Sequence, residues 1–203
     1  MEPTPRRGRP RSEGADARIL DAALELLVDR GYDRFSVDEA AGRAGVAKTT
    51  LYRRWPTRDH LIVAVVARLQ DAVPVEYSGD VRADLTRYLG EIVAGLNRMR
   101  RAGRPATSGD GSAGLVAEVV AAAARHADVG AAVQAMFRRR NALVLRLLEQ
   151  ARESGELRAD VEPEALFDQL AGALYYRLLI TGGPLDAEYV DRLLAGALRG
   201  ASA

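Results

Sequence analysis

The chain has 203 residues, with 29 basic and 28 acidic side chains, and its formal net charge is +1. It contains no cysteine, which excludes disulfides, thiol redox chemistry and cysteine-ligated zinc. No segment approaches the roughly 18 consecutive apolar residues of a membrane helix, and the N-terminus lacks the apolar stretch of a secretory signal. We therefore expect a cytoplasmic protein without membrane contact. Its two histidines predict no metal site, and no cofactor is expected.

Composition favours an all-α fold. Aromatic residues make up only 5% of the chain, and valine and isoleucine occur mostly at helical spacings. We expect about nine helices, arranged as a three-helix head followed by a helical-bundle body. Residues 1–14 are polar, with repeated proline and glycine and four arginines, and they predict a disordered basic arm.

The head spans residues 15–58 and begins with an amphipathic helix. Ser36, followed three residues later by Glu39, is a capping box that opens a second helix. Gly45 supplies a turn, and a third, short helix covers about residues 47–53. Two short helices joined by a glycine turn predict a helix-turn-helix.

The body covers residues 59–203. Apolar periodicity predicts six helices after the helix-turn-helix, at about residues 58–73, 80–101, 113–126, 128–154, 163–181 and 186–198. The first of these is apolar over much of its surface, which predicts a buried connector between head and body. Residues 102–112 form a glycine-rich loop that can gate entry to a site, because such segments open at little cost.

Positive charge is concentrated in the second half of the helix-turn-helix. From Arg43 to Arg58 there are five basic side chains and no carboxylate, in a chain that is close to neutral. A cationic helix on such a protein is the electrostatic signature of phosphate binding. A solvated basic helix is the alternative, but the charge, the glycine turn and the capping signals agree with one another. Double-stranded DNA is therefore the expected partner.

These motifs resemble the DNA-binding signature of the TetR family of bacterial transcriptional regulators. The similarity runs through residues 36–41, 44–52 and 55–62, and the body also resembles one of the family's C-terminal types. The resemblance implies a homodimer of all-helical subunits, each with a DNA-binding head and a ligand-binding body. Trp55 stands where phenylalanine is usual, and Thr49 stands where many members have glycine, which can alter base readout.

The third helix of the head is expected to lie in the major groove, with its N-terminal residues facing base edges. Lys48 can donate to guanine, and the two threonines after it can contact bases, phosphates or a thymine methyl group. By resemblance, Tyr52 donates its hydroxyl to a phosphate. The predicted DNA contacts of the head are Ser36, Arg43, Ala47, Lys48, Thr49, Thr50, Tyr52, Arg53 and Arg58.

Some of these contacts have plainer alternatives. Ser36 can serve only as a helix cap, and Arg43 can be an ordinary surface arginine. In the arm, Arg7 and Arg9 flank Gly8 in a sequence that can enter an A·T-rich minor groove. An unstructured, solubilising arm is the alternative for those two arginines.

By resemblance, three helices of the body, at about residues 80–101, 113–126 and 128–154, surround a small-molecule effector. The low aromatic content leaves room for a medium-sized, mainly apolar ligand, although most inward side chains would be core in any helix bundle. The candidate ligand contacts are Tyr88, Ile92, Leu96, Met99, Val120, Met136, Phe137, Arg140, Asn141, Tyr175 and Tyr176.

The last two helices carry apolar stripes that predict the contact between two subunits. Apolar helices at the end of a chain need cover, and pairing with the same helices of a second copy forms a four-helix interface. Packing inside one subunit is the alternative for some of these side chains. The candidate interface residues are Phe167, Leu170, Leu174, Leu178, Val190, Leu194 and Ala197.

The function expected from these patterns is a ligand-responsive transcriptional regulator. As a repressor, it would bind a pseudo-palindromic operator as a dimer and leave it when a small molecule binds the body. A DNA-binding architectural or activator protein without a ligand is the alternative. The sequence does not favour an enzyme, because it shows no nucleophile–histidine–acid set and no phosphate-binding glycine loop.

Overall fold

The computed structural model describes residues 13–32, 34–69, 76–102 and 114–202. Within these ranges the chain forms nine α-helices, which confirms the all-α fold. They are α1 (Glu13–Arg30), α2 (Val37–Arg43), α3 (Lys48–Tyr52), α4 (Arg58–Leu69), α5 (Val81–Ala102), α6 (Gly114–Arg125), α7 (Ala127–Glu153), α8 (Pro163–Tyr176) and α9 (Ala187–Ala201). The predicted contacts Arg7 and Arg9, and nearly all of the predicted glycine-rich loop, lie outside the described residues.

The capping box predicted at the N-terminus of α2 is formed only in part. The Ser36 hydroxyl oxygen accepts the N–H of Glu39 at 3.3 Å, as a capping residue should. The return bond of a capping box is not formed among the described residues. Instead, the Glu39 carboxylate lies 2.6 Å from Arg30 and 3.2 Å from Arg43. Two guanidinium groups compete for a carboxylate more strongly than one backbone N–H does, because both are charged.

The helix predicted from Pro163 onwards changes its winding near its end. It is α-helical to Tyr176 and continues as a π-helical turn over Arg177–Thr181. Gly182 then ends it with a φ of +66°, a left-handed conformation that glycine adopts at little cost. Within this turn Ile180 is 71% exposed, so the outer side of the helix carries a large apolar side chain.

Helix α4 joins the head to the body and is buried on two sides. Leu61, Ile62, Val65 and Val66 are at most 3% exposed. The helix contacts α1 within the head and both α6 and α7 within the body. Buried apolar side chains from α1 to α9 form one continuous cluster, so the head and the body share a single core.

The apolar stripes of α8 and α9 face the inside of the subunit. The side chains that are at most 3% exposed are Phe167, Leu170, Leu174, Leu178, Val190 and Leu194. Because α8 packs on α7 and α9 packs on α5, these six side chains belong to the core of one subunit. The expectation that they meet a second subunit is therefore wrong, and only Ala197 of the predicted set remains partly exposed.

A buried carboxylate anchors the start of α5. Asp84 is fully buried and accepts the N–H of Ser78 at 2.8 Å and the guanidinium of Arg87 at 2.8 Å. Nearby, the Glu156 carboxylate accepts the N–H of Val81 at 2.7 Å, which connects α5 to the segment after α7. Glu156 thus satisfies a backbone donor that the first turn of a helix leaves without a partner, and Asp84 fixes the segment that leads into the helix.

We expect Asp84→Ala to lower the free energy of unfolding by about 1–3 kcal/mol, because the N–H of Ser78 and the guanidinium of Arg87 then lose their common acceptor. Glu91→Ala, on the exposed side of the same helix, is the control and should change stability by less than about 0.5 kcal/mol. Urea denaturation followed by circular dichroism measures both variants. Equal midpoints for the two variants would contradict the anchoring role of Asp84.

Candidate nucleic-acid interface

The turn between α2 and α3 depends on Gly45, whose φ is +66°. Its N–H donates to the carbonyl oxygen of Gly42 at 3.1 Å, and the N–H of Val46 donates to that of Ala41 at 3.1 Å. These two bonds occupy carbonyl groups that the end of α2 would otherwise leave without donors. A compact turn results, and it sets the direction in which α3 begins.

Helix α3 has one side in the core and the other in solvent. Leu51 is fully buried in the core of the head, and Trp55 packs partly buried against the same core. Thr50 is partly exposed, as is Ser36 at the start of α2. The exposed side chains around α3 are Ala47, Lys48, Thr49, Tyr52 and Arg53. The helix therefore presents a polar, cationic face, as the sequence predicted.

The two neighbouring arginines after Tyr52 have different roles. Arg53 is exposed, whereas Arg54 is partly buried and forms an ion pair with Asp16 of α1. Adjacent residues on a helix point about 100° apart, so the two side chains reach different surroundings. Arg54 thus fastens the end of α3 to α1, and Arg53 remains at the surface.

Two of the predicted DNA-contacting cations lie beside carboxylates. Lys48 Nζ is 2.5 Å from Asp38 Oδ2, and both side chains are exposed. Arg43 is 3.2 Å from Glu39 and 3.4 Å from Asp29. Exposed ion pairs contribute little to stability, so a phosphate or a base edge can replace the carboxylate of Asp38. Arg43 is more strongly engaged because it has acidic neighbours on two helices.

Arg58 is held by an aromatic ring at the start of α4. Its guanidinium carbon lies 4.1 Å from the centroid of the Tyr32 ring. The Tyr32 hydroxyl donates to Asp59 Oδ1 at 2.7 Å, and burial is the main cause that raises the pKa of Tyr32 above its ordinary value of 10.0. The hydroxyl therefore stays protonated and donates at neutral pH. Tyr32 and Asp59 were missed as supports of the interface, because nothing in the local sequence brings them together.

The candidate ligand contacts in the body fall into three groups. The buried group is Tyr88, Ile92, Leu96, Met99 and Met136. The partly buried group is Phe137, Arg140, Asn141 and Tyr175. Val120 and Tyr176 are 48% and 60% exposed, so these two candidates lie at the surface of the subunit. Helical periodicity showed which side chains share a face but not which face is covered.

A cleft of about 570 Å³ opens between α7 and α8. Phe137 and Asn141 of the candidate ligand contacts line it, together with Glu164 and Asp168 at its polar edge. Phe137 also packs edge-on against Tyr175, with ring centroids 6.0 Å apart and an interplanar angle of 78°. Two of the candidates therefore line the α7–α8 cleft, which is a different location from the predicted one between α5, α6 and α7.

Comparison with known proteins agrees with the geometry of the head. Residues 19–65 match the family model for bacterial regulatory proteins of the tetR family. Residues 75–197 match the model for the tetracyclin repressor-like C-terminal domain. The chain belongs to the TetR family. Among its described helices, none has the length and apolar character needed to cross a bilayer.

Similar proteins cover almost the whole TetR-family chain. It is 31% identical to the uncharacterized HTH-type transcriptional regulator YdeS of Bacillus subtilis, over 98% of this chain and 95% of YdeS. It is 29% identical to the DNA-binding transcriptional repressor TetR of Mycobacteroides abscessus, over 93% of this chain and 94% of that protein. The crystal structure of the TetR family transcription regulator SCO0332 has a TM-score of 0.75 and 33% identity, covering 93% of this chain and 98% of that one. The protein is a DNA-binding transcriptional regulator, and not an enzyme.

Gly42 and Gly45 provide a matched test of the turn in this TetR-family protein. A Cβ atom would meet no other atom within 4 Å at either position, but only Gly45 has a positive φ. We expect Gly42→Ala to raise the free energy of unfolding by about 0.5–1 kcal/mol, and Gly45→Ala to lower it by about 1–2 kcal/mol. Because the turn orients α3, Gly45→Ala should also weaken DNA binding. Thermal denaturation and gel shifts measure both effects, and identical behaviour of the two variants would refute this role of Gly45.

Proposed function

We propose that the protein is a homodimeric repressor that binds a pseudo-palindromic operator and leaves it when a small molecule binds the body. The observation that carries this proposal is the exposed cationic face of α3, supported by the Gly45 turn and the buried Leu51. Two such helices, one from each subunit, fit successive major grooves when they lie roughly 34–36 Å apart. Similarity to a protein named as a DNA-binding transcriptional repressor supports repression over activation.

The first part of α3 supplies the base contacts in this proposal. Lys48 exchanges the exposed carboxylate of Asp38 for the O6 or N7 acceptors of guanine. Thr49 and Thr50 offer a hydroxyl to base edges and a methyl group to thymine. Ala47, at the first exposed position, has a side chain small enough for close approach to a thymine methyl group.

The phosphate contacts come from around this helix. Tyr52 is 43% exposed and can donate its hydroxyl to a phosphate, and the exposed Arg53 supplies a charged donor. The Ser36 hydroxyl accepts a backbone N–H, which leaves its own proton for a phosphate oxygen. Arg43 and Arg58 remain proposed contacts, each of which would have to move from carboxylates or from a ring within the head. Arg7 and Arg9 remain candidates for the minor groove.

The second subunit is proposed to cover the outer face of α8 and α9. Tyr176 and Ile180 are 60% and 71% exposed on this face, and Gly172 precedes them at helical spacing. On α9 the exposed Gly196 and Gly200 lie at the same spacing, with the predicted Ala197 beside them. Glycines allow two helix backbones to approach closely, and the large apolar pair supplies area to bury. A two-fold axis would place each patch against its own copy.

The proposed effector site lies in the body, at the α7–α8 cleft. Its volume of about 570 Å³ is within the usual range for small-molecule sites, roughly 300–1,000 Å³. Asn141 offers amide groups that can orient a ligand, and Phe137 offers an apolar wall. A medium-sized, mainly apolar effector would release the operator by favouring a conformation in which the two heads no longer match the grooves. A regulator without a ligand is the alternative if no compound changes operator affinity.

We expect Tyr52→Phe to weaken DNA binding about tenfold on operator and unrelated DNA alike, because one phosphate donor is lost. Lys48→Ala should in addition lower the preference for operator over unrelated DNA, by about 1–3 kcal/mol. Arg82→Ala, which removes an exposed cation from α5 in the body, is the control and should bind like the wild type. Gel shifts at several salt concentrations measure these affinities. If both head variants bind DNA with wild-type affinity, the assignment of α3 as the DNA-contacting helix is contradicted.

The dimer interface is tested by adding a charge to its proposed centre. Ile180→Arg should raise the dissociation constant of the dimer by at least about 100-fold, because an unpaired charge would be buried. Val28 is also a large apolar side chain, 54% exposed on α1, and Val28→Arg is the matched control. Both side chains are exposed in one subunit, so both variants should fold. Multi-angle light scattering that shows the same mass for both variants would rule out this interface.

A further inference from the structure

A second cleft lies between the head and the body. It has a volume of about 610 Å³, with α1 and α4 on one side and α7 on the other. Its walls are largely apolar, since Leu20, Trp55, Val63 and Met136 line it together with alanines from all three helices. Small side chains on both sides leave the space between the helices unfilled. This head–body cleft is separate from the α7–α8 cleft, because no residue lines both.

Basic side chains line the head–body cleft. Its described lining includes His60, Arg68 and Arg139 and no carboxylate. Two of these basic groups already have partners, since His60 Nε2 lies 3.5 Å from Asp128 and Arg68 lies 2.6 Å from Asp21. Arg139 forms no ion pair with any described residue and is exposed. One uncompensated guanidinium therefore stands at the edge of an apolar cleft.

We propose that the head–body cleft binds an amphipathic monocarboxylate, the chemical class of a medium-chain fatty acid. The hydrocarbon chain lies against Leu20, Trp55 and Met136, and the carboxylate pairs with Arg139. A guanidinium matches a carboxylate with two parallel hydrogen bonds, which are stronger than bonds between neutral groups. A cationic amphipath is repelled by the same side chain. A neutral amphipath fills the cleft but leaves the guanidinium without a partner.

The position of this cleft connects its occupant to DNA binding. Helix α4 continues from the head, while α7 belongs to the body, so a molecule seated between them contacts both parts. The His60–Asp128 pair crosses the same boundary from α4 to α7. A ligand that contacts both sides favours one arrangement of head and body over others. Binding at the cleft does not depend on the proposed repressor function, although its effect on the operator does.

The fluorescence of Trp55 reports whether a ligand is bound in the head–body cleft, because Trp55 is the only tryptophan in the sequence and lines this cleft. The full-length protein is titrated with decanoate and, separately, with 1-decanol as the neutral probe of equal length. We expect a saturable change in tryptophan emission with decanoate, at a dissociation constant about tenfold lower than that for 1-decanol. No emission change with decanoate would overturn the proposal, even if calorimetry detects decanoate elsewhere on the protein.

Two variants locate the site. Arg139→Ala should raise the dissociation constant for decanoate about tenfold and leave that for 1-decanol unchanged. Arg146→Ala removes an exposed arginine of the same helix that lies outside the cleft, and it should leave both constants unchanged. Ala135→Phe narrows the cleft and should abolish both emission changes, with circular dichroism confirming that the variant folds. A decanoate affinity that is indifferent to Arg139→Ala would overturn the proposal whatever Ala135→Phe shows.

Tryptophan emission and gel shifts test ligand binding at the cleft and DNA binding separately. Tryptophan emission reports binding without DNA, so it holds or fails independently of any gel shift. Failure of the titration leaves the DNA-binding assignment of α3 intact. Failure of the gel shifts leaves decanoate binding at the head–body cleft intact.

Discussion

Helix α4 has to satisfy two packing interfaces at once, and the arrangement of the molecule depends on this constraint. Its buried side chains meet α1 on one side and α6 and α7 on the other, within one continuous core. Close-packed cores do not deform continuously, so α4 cannot rotate without losing contacts on one side. The orientation of the head, and therefore of α3, follows from the way α4 sits on the body. Any ligand that alters this packing changes the position of the DNA-binding surface.

The head divides its cations into those that hold it together and those that it presents to a partner. Arg54 joins α3 to α1 through Asp16, and Arg58 lies on the Tyr32 ring at the start of α4. Lys48 and Arg53 remain on the exposed face of α3. These internal contacts are partly buried and connect different segments of the head. Together they orient α3 while leaving its outer charges for phosphates and bases.

Helix α7 links the two clefts. It is the longest described helix, with 27 residues, and it contacts α4, α5, α6 and α8. Met136 faces the head–body cleft, and Phe137, the next residue, faces the α7–α8 cleft. Successive side chains on a helix point about 100° apart, so one helix can line two separate spaces. A small movement of α7 would therefore change the shape of both clefts.

The sequence by itself determined the elements that depend on near neighbours. Helical periodicity located the helices, Gly45 marked the turn, and the cation-rich run indicated the exposed basic face of α3, because each depends on residues within a few turns. Only the tertiary structure decided what covers each apolar stripe: the predicted dimer residues such as Leu174 became core, and Ile180 stayed outside. It also decided that Arg43 meets Asp29 of another helix, while Arg53 stays at the surface. Which faces and charges meet depends on how distant segments pack, and a pattern along one helix does not contain that information.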